Sequence, residues 1–210
     1  MKYILLLTLF LMSCAIDMPT KDYHFAQLNF RTNNKVTDKK IAIFGDSRMD
    51  YMSSSQMQNI NYQCWNFGRT HSTSIEALDD MTIIKKGEFY DINEFIIIVY
   101  VGRNDIILSE GIARYTQDIQ AMQILYPNNT FYFINCTPDS TLSEYSESQY
   151  NLLSGCNDYN KALKNLNVNY VNLNQYICDQ AGYLKDNLTI DHIHFNDNGF
   201  RYLYNFINNL

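Results

Sequence analysis

An unbroken apolar run through the middle of the chain, Phe95, Ile96, Ile97, Ile98, Val99, Tyr100 and Val101, most constrains the fold. A run this short and this β-branched reads as a strand covered on both faces, because a half-exposed strand would alternate apolar with polar residues. Residues 41–44, 130–135 and 170–173 form similar, shorter runs, and 62–67 a weaker one. Between them, residues 74–86, 112–126, 149–166 and 197–209 carry apolar side chains three and four apart, as in Ile112, Tyr115, Ile119, Met122 and Leu125, which is the period of a one-sided helix. Strand alternating with helix predicts a three-layer α/β/α sandwich around a parallel sheet. Ligands of such sheets sit beyond the carboxyl ends of the strands, so the residues just after each run are where chemistry is expected.

The ends of the chain set its boundaries. Lys2 precedes an apolar stretch over residues 4–12, followed by Ser13 and Cys14, which is the pattern of a secretory signal. The stretch is well short of the roughly 20 residues of a bilayer-spanning helix. Leu11, Met12, Ser13 and Cys14 resemble a bacterial lipobox. That resemblance implies cleavage before Cys14 and acylation of its thiol, which would tether the chain to a membrane outside the cytoplasm, with Ala15 leaning towards the outer membrane. The expected organisation is a signal peptide over 1–13, a lipidated cysteine and polar tether over 14–37, and one domain over 38–210. With 46% hydrophobic residues in 210, that domain can bury a sizeable core. A net charge of −6 without a basic run argues against nucleic acid as a partner. Cys64, Cys136, Cys156 and Cys178 remain, open to any of three disulfide pairings or to staying buried thiols. They lack the close paired spacing of zinc ligands, and neither a metal nor a cofactor is expected.

Three segments that follow the first three runs carry reactive groups: Gly45, Asp46 and Ser47; Asn66, Phe67 and Gly68; Gly102, Arg103, Asn104 and Asp105. A fourth, from Asp191 through His192, Ile193 and His194 to Asn196, precedes the last helix. A serine hydroxyl attacks only when an imidazole removes its proton, and the imidazole needs a carboxylate on its other nitrogen. Ser47, His194 and Asp191 can supply the three parts. His194 is preferred as base over His192 because it has an aspartate three residues before it. The oxyanion formed on attack needs donors, for which the Ser47 and Gly68 backbone N–H groups and the Asn104 amide are candidates. Gly68 lacks a Cβ, so backbone and substrate can approach closely there.

Ser47, Gly68, Asn104 and His194 resemble, in identity and order, the four blocks of the SGNH/GDSL hydrolase superfamily, over residues 41–199. The resemblance implies a flavodoxin-like five-stranded sheet of order 2-1-3-4-5 and ester hydrolysis or acyl transfer. It points to a serine esterase of O-acyl groups, such as acetyl esters of an envelope glycan, or of a lipid. An O-acyltransferase with the same triad, or a surface-binding lipoprotein without activity, is the alternative. Arg48 stands where the name-giving motif has leucine; His71 and His192 stand where glycine is common. No Gly-x-Gly-x-x-Gly or Gly-x4-Gly-Lys loop is present, which disfavours nucleotide binding.

Asp46 and Asp105 are expected to bond local backbone. Arg48, Arg69 and Arg103 each adjoin a motif residue and can either bind an anionic part of the substrate or pair with Asp46, Asp50 and Asp105. His71 is a further candidate at the pocket. The polar connection over 137–154, with Tyr145 and Tyr150, is expected to border the site or to cover an edge.

Overall fold

The computed structural model of the protein describes residues 31–87, 92–143 and 149–210. The signal segment, Cys14, Tyr145 and the side chain of Tyr150 lie outside the described residues. The strands are β1 (Arg31–Thr32), β2 (Lys40–Gly45), β3 (Gln63–Gly68), β4 (Ile96–Tyr100), β5 (Thr130–Ile134) and β6 (Asn169–Val171). The helices are α1 (Ser47–Asp50), α2 (Ser54–Met57), α3 (Ser74–Gly87), α4 (Arg103–Ile107), α5 (Ile112–Leu125), α6 (Gln149–Asn165), α7 (Asn174–Ile177) and α8 (Asp197–Asn208).

The sheet has six strands in the order β1-β3-β2-β4-β5-β6, and every pair from β3 to β6 is parallel. Counted along the chain, the parallel strands have the order 2-1-3-4-5. The extra strand is β1, antiparallel to β3, with Arg31 opposite Asn66. It lies inside the stretch expected to be an irregular tether. Two residues carry no period, and what fixes them is not local. Asn33, 2% exposed, donates its amide to the Tyr62 carbonyl at 2.8 Å, and its Oδ1 accepts the Cys64 N–H at 3.1 Å. The folded unit therefore begins at least by Arg31.

Alternation along the strands explains the continuous apolar runs. Ile41, Ile43, Ile98, Tyr100 and Ile134 face one layer, packed with Phe195 and with Phe200, Leu203 and Ile207 of α8. Ala42, Phe44, Ile97, Val99 and Phe133 face the other, packed with Ala77, Met81 and Ile84 of α3 and Tyr115, Ile119 and Met122 of α5. The central strands β2 and β4 thus bury both rows of side chains. Strand order reverses at β2, which has β3 on one side and β4 on the other, so the crevice beyond its carboxyl end is the natural ligand site.

Candidate active site

Ser47 sits in that crevice. β2 ends at Gly45, and α1 starts directly with Ser47, capped by Asp46, whose Oδ1 accepts the Arg48 N–H at 2.9 Å. The turn is held on one side by the Asp46 N–H donating to the Tyr100 carbonyl at 3.2 Å, and on the other by the Arg69 N–H donating to the Gly45 carbonyl at 2.9 Å. A Cβ on Gly68 would lie 2.5 Å from the Asp50 nitrogen and 2.6 Å from the Met49 carbonyl carbon. Glycine is required there because the backbone of α1 packs against it; the close approach expected of substrate is made by the helix that carries the nucleophile.

His194 arrives from the loop before α8. That loop is closed by the Ile190 N–H bonding the His194 carbonyl at 2.9 Å and by Asn196, whose amide donates to the Asn187 and Thr189 carbonyls while its Oδ1 caps α8. His194 Nε2 lies 2.9 Å from Ser47 Oγ, and its Nδ1 lies 2.6 Å from Asp191 Oδ2. A carboxylate only accepts, so Nδ1 carries the proton and Nε2 is the acceptor for the serine hydroxyl. Asp191 Oδ1 meanwhile accepts the backbone N–H of His194 at 2.8 Å and of Ile193 at 3.1 Å. Partial burial pushes the Asp191 carboxyl up, but the His194 backbone N–H, its ring and the Ile193 N–H together hold it below its ordinary value.

The donor groups are partly committed. Asn104 Nδ2 donates to the Ser72 carbonyl at 3.0 Å, and Oδ1 accepts from Arg103 at 3.3 Å, which fixes the amide plane and leaves one N–H for a substrate oxygen. The Gly68 N–H donates to Asn66 Oδ1 at 2.9 Å and would have to be shared with an oxyanion. The Ser47 N–H is at the first position of α1, where the helix has no acceptor of its own for it.

The arginines do not pair with the carboxylates that were expected. Arg48 is 1% exposed and points away from the crevice. Its guanidinium donates to the Thr137 carbonyl at 2.6 Å, to Asp139 Oδ1 at 3.0 Å and, through Nε, to the Ile193 carbonyl at 3.0 Å. Burial opposes its charge, and Tyr100, Asp139 and Asp46 more than restore it. Arg103 grips Asp139 with two bonds of 2.6 Å. Arg69 pairs with Asp80 at 3.3 Å. All three arginines are thus ion-paired, but with Asp139 and Asp80, not with Asp46, Asp50 or Asp105. Asp46 caps α1, the local bond expected of it, whereas Asp105 reaches beyond its own loop to accept the Ser74 N–H and hydroxyl at the start of α3; burial pushes both carboxyls up. In the described first half of the 137–154 connection, Thr137, Asp139, Ser140 and Ser143 are buried, and the Ser140 N–H donates to the His192 carbonyl at 2.9 Å, so this stretch supports the His194 loop.

His71 and His192 both have left-handed backbone, with φ of 63° and 70°. Glycine is favoured at such angles, which accounts for its frequency at these places in the family the sequence resembles, and here histidine accepts the strain. His192 is not a spare base; its Nδ1 bonds Asp186. His71 is exposed, and no bond joins it to the triad among the described residues. Tyr51, not singled out in the sequence, stacks on the His194 ring with centroids 4.1 Å apart and planes 17° apart. Its position four residues after Ser47, one helical turn on, was the available signal. Beside Tyr51 opens a cavity of about 420 Å³ lined by Arg31, Asp50, Tyr51, Ser53, Ser54 and Thr70. Among the described residues no cluster of side chains is suited to hold a metal ion.

No family model matches the chain, and no curated protein does. Solved structures do. The lipase/acylhydrolase from Enterococcus faecalis superposes with a TM-score of 0.63 at 17% identity over 81% of this chain and 94% of its own. A member of the lipolytic protein G-D-S-L family from Veillonella parvula gives 0.62 at 16% over 80% and 94%. The OSK domain of Drosophila Oskar gives 0.62 at 13% over 83% and 88%. Identities this low speak to architecture, and the chain has the α/β/α fold of the G-D-S-L lipolytic proteins.

Proposed function

We propose that this chain is a serine hydrolase of carboxylic esters that works through an acyl-Ser47 intermediate. The observation that carries the reading is the continuous line of bonds from Asp191 through His194 to Ser47, at 2.6 and 2.9 Å. His194 takes the hydroxyl proton as Ser47 Oγ attacks the ester carbon, and Asp191 stabilises the imidazolium. The oxyanion is met by the Ser47 N–H and the Asn104 amide, with the Gly68 N–H shared. The imidazolium returns the proton to the leaving alkoxide, and a water activated by His194 releases the acid. Asp191 is about half exposed, so water reaches the site, which suits hydrolysis.

The proposed substrate is an O-acyl ester, such as an O-acetyl group, on a polar alcohol of the cell envelope, of which a glycan is the best fit. The cavity beside Tyr51, whose ring stacks on His194, supports this: the hydroxyls of Ser53, Ser54 and Thr70, the Arg31–Asp50 ion pair and the Tyr51 ring suit a sugar better than a long acyl chain. We further propose that Cys14 is acylated and holds the enzyme at a membrane surface, on the strength of the lipobox-like sequence before it. The test is hydrolysis of p-nitrophenyl acetate and longer-chain esters by the full chain. Ser47→Ala and His194→Ala are each expected to lower kcat by roughly 10³-fold or more with the fold retained. Equal rates in either variant would refute the assignment.

A further inference from the structure

The end of β5 and the face of α6 meet at two cysteines. Cys136 and Cys156 are each 1% exposed, and their sulfur atoms lie 2.7 Å apart. That is inside the roughly 3.5–4.0 Å at which non-bonded heavy atoms settle. The approach is not made by the sulfurs alone. Asn160, one turn beyond Cys156 on the same face of α6, clamps the backbone of Cys136: its Oδ1 accepts the Cys136 N–H at 2.7 Å, and its Nδ2 donates to the Cys136 carbonyl at 2.9 Å. Asn174 donates to the same carbonyl at 2.9 Å, and Leu152 and Ile106 close over the pair. Cys64 lies in the layer on the far side of the sheet, and neither it nor Cys178 is joined to another cysteine among the described residues.

We propose that Cys136 and Cys156 are a disulfide-forming pair, oxidised by thiol–disulfide exchange with a donor disulfide, low-molecular-weight or protein-borne, while Cys64 and Cys178 stay thiols. One cysteine thiolate attacks a donor sulfur and expels the donor's other sulfur as thiolate. The second cysteine thiolate then attacks the protein sulfur of that mixed disulfide, forms the Cys136–Cys156 bond and expels the remaining donor sulfur. Two electrons and two protons pass from the protein to the donor, which leaves as two thiols. Burial disfavours a thiolate at Cys136, so exchange takes place before α6 closes, and the finished bond is shielded from later attack. The bond would link β5 to α6 across the stretch that holds Asp139, the partner of Arg48 and Arg103.

The test uses the full chain in detergent, fully reduced and then refolded with oxidised glutathione, alkylated under denaturing conditions and mapped by peptide mass. The expected result is one cross-linked peptide joining Cys136 to Cys156, with Cys64 and Cys178 alkylated. A thermal midpoint about 5–10 °C above that of the reduced protein is expected. Cys64→Ala should keep that shift and Cys156→Ala should lose it; if Cys156→Ala does not fold, the peptide map of the unaltered chain decides. Alkylation of all cysteines after oxidation, or a bond that uses Cys14, Cys64 or Cys178 instead, would overturn the proposal. None of these readouts depends on esterase activity.

Discussion

Asp191 serves His194 with both oxygens, one on the ring and one on the backbone N–H groups of the turn, so it fixes tautomer and loop shape together. Asp191→Asn keeps the size but removes the charge and offers N–H where an acceptor is needed. It is expected to cut kcat on p-nitrophenyl acetate by roughly 10³–10⁴-fold. Retention of more than about a tenth of the rate would show that the carboxylate is not part of the machinery. Because the folded-state value of this carboxyl is depressed, its contribution to stability is present above the ordinary aspartate range and lost only as pH falls through the lowered value. The loop around His194 should therefore stay ordered in mild acid. Ser47, His194 and Asp191 were legible because Ser47 follows a clear apolar run and Asp191 and His194 share the short segment before a helix of clear period. The arginines were not: Asp139 lies 91 residues beyond Arg48 and 36 beyond Arg103, and nothing local says which carboxylate a guanidinium will meet.

At the scale of elements, Arg48 joins three parts: α1, the segment after β5 through Thr137 and Asp139, and the His194 loop through the Ile193 carbonyl. It therefore couples the nucleophile's helix to the base's loop without touching substrate. Arg48→Met should cost about 3 kcal/mol, since it strips a buried carboxylate of one partner and leaves buried carbonyls unpaired. A loss under about 1 kcal/mol in urea unfolding would mean that Arg103 alone satisfies Asp139. The five parallel strands were readable as short, nearly unbroken apolar runs, and the helices α3, α5, α6 and α8 because each is long enough to show a period of three to four. The helices α1, α2, α4 and α7, each about one turn, show no period, and β1 is set by the distant amide of Asn33. The elements that escape the sequence are those whose reason for forming lies elsewhere in the fold.

For the whole molecule, the first and last elements of the described residues bear on the same crevice. α8 closes the layer behind His194, and β1 delivers Arg31 to the wall of the cavity beside Tyr51, where it bonds Asp50. An acyl anchor on Cys14 would thus be joined to the rim of the site itself. Between Cys14 and Arg31 a fully extended chain reaches at most about 60 Å, so an anchored enzyme would work within that distance of its membrane. Among the described residues no helix is long and apolar enough to cross a bilayer. Cys14→Ser is accordingly expected to move p-nitrophenyl acetate hydrolysis from the membrane fraction to the soluble fraction of producing cells, with kcat per molecule unchanged, because the substitution is remote from Ser47 and His194. Activity that stays with the membranes would discard the anchor while leaving the esterase assignment untouched, and activity that disappears from both fractions would mean that acylation is needed for the chain to reach its folded state.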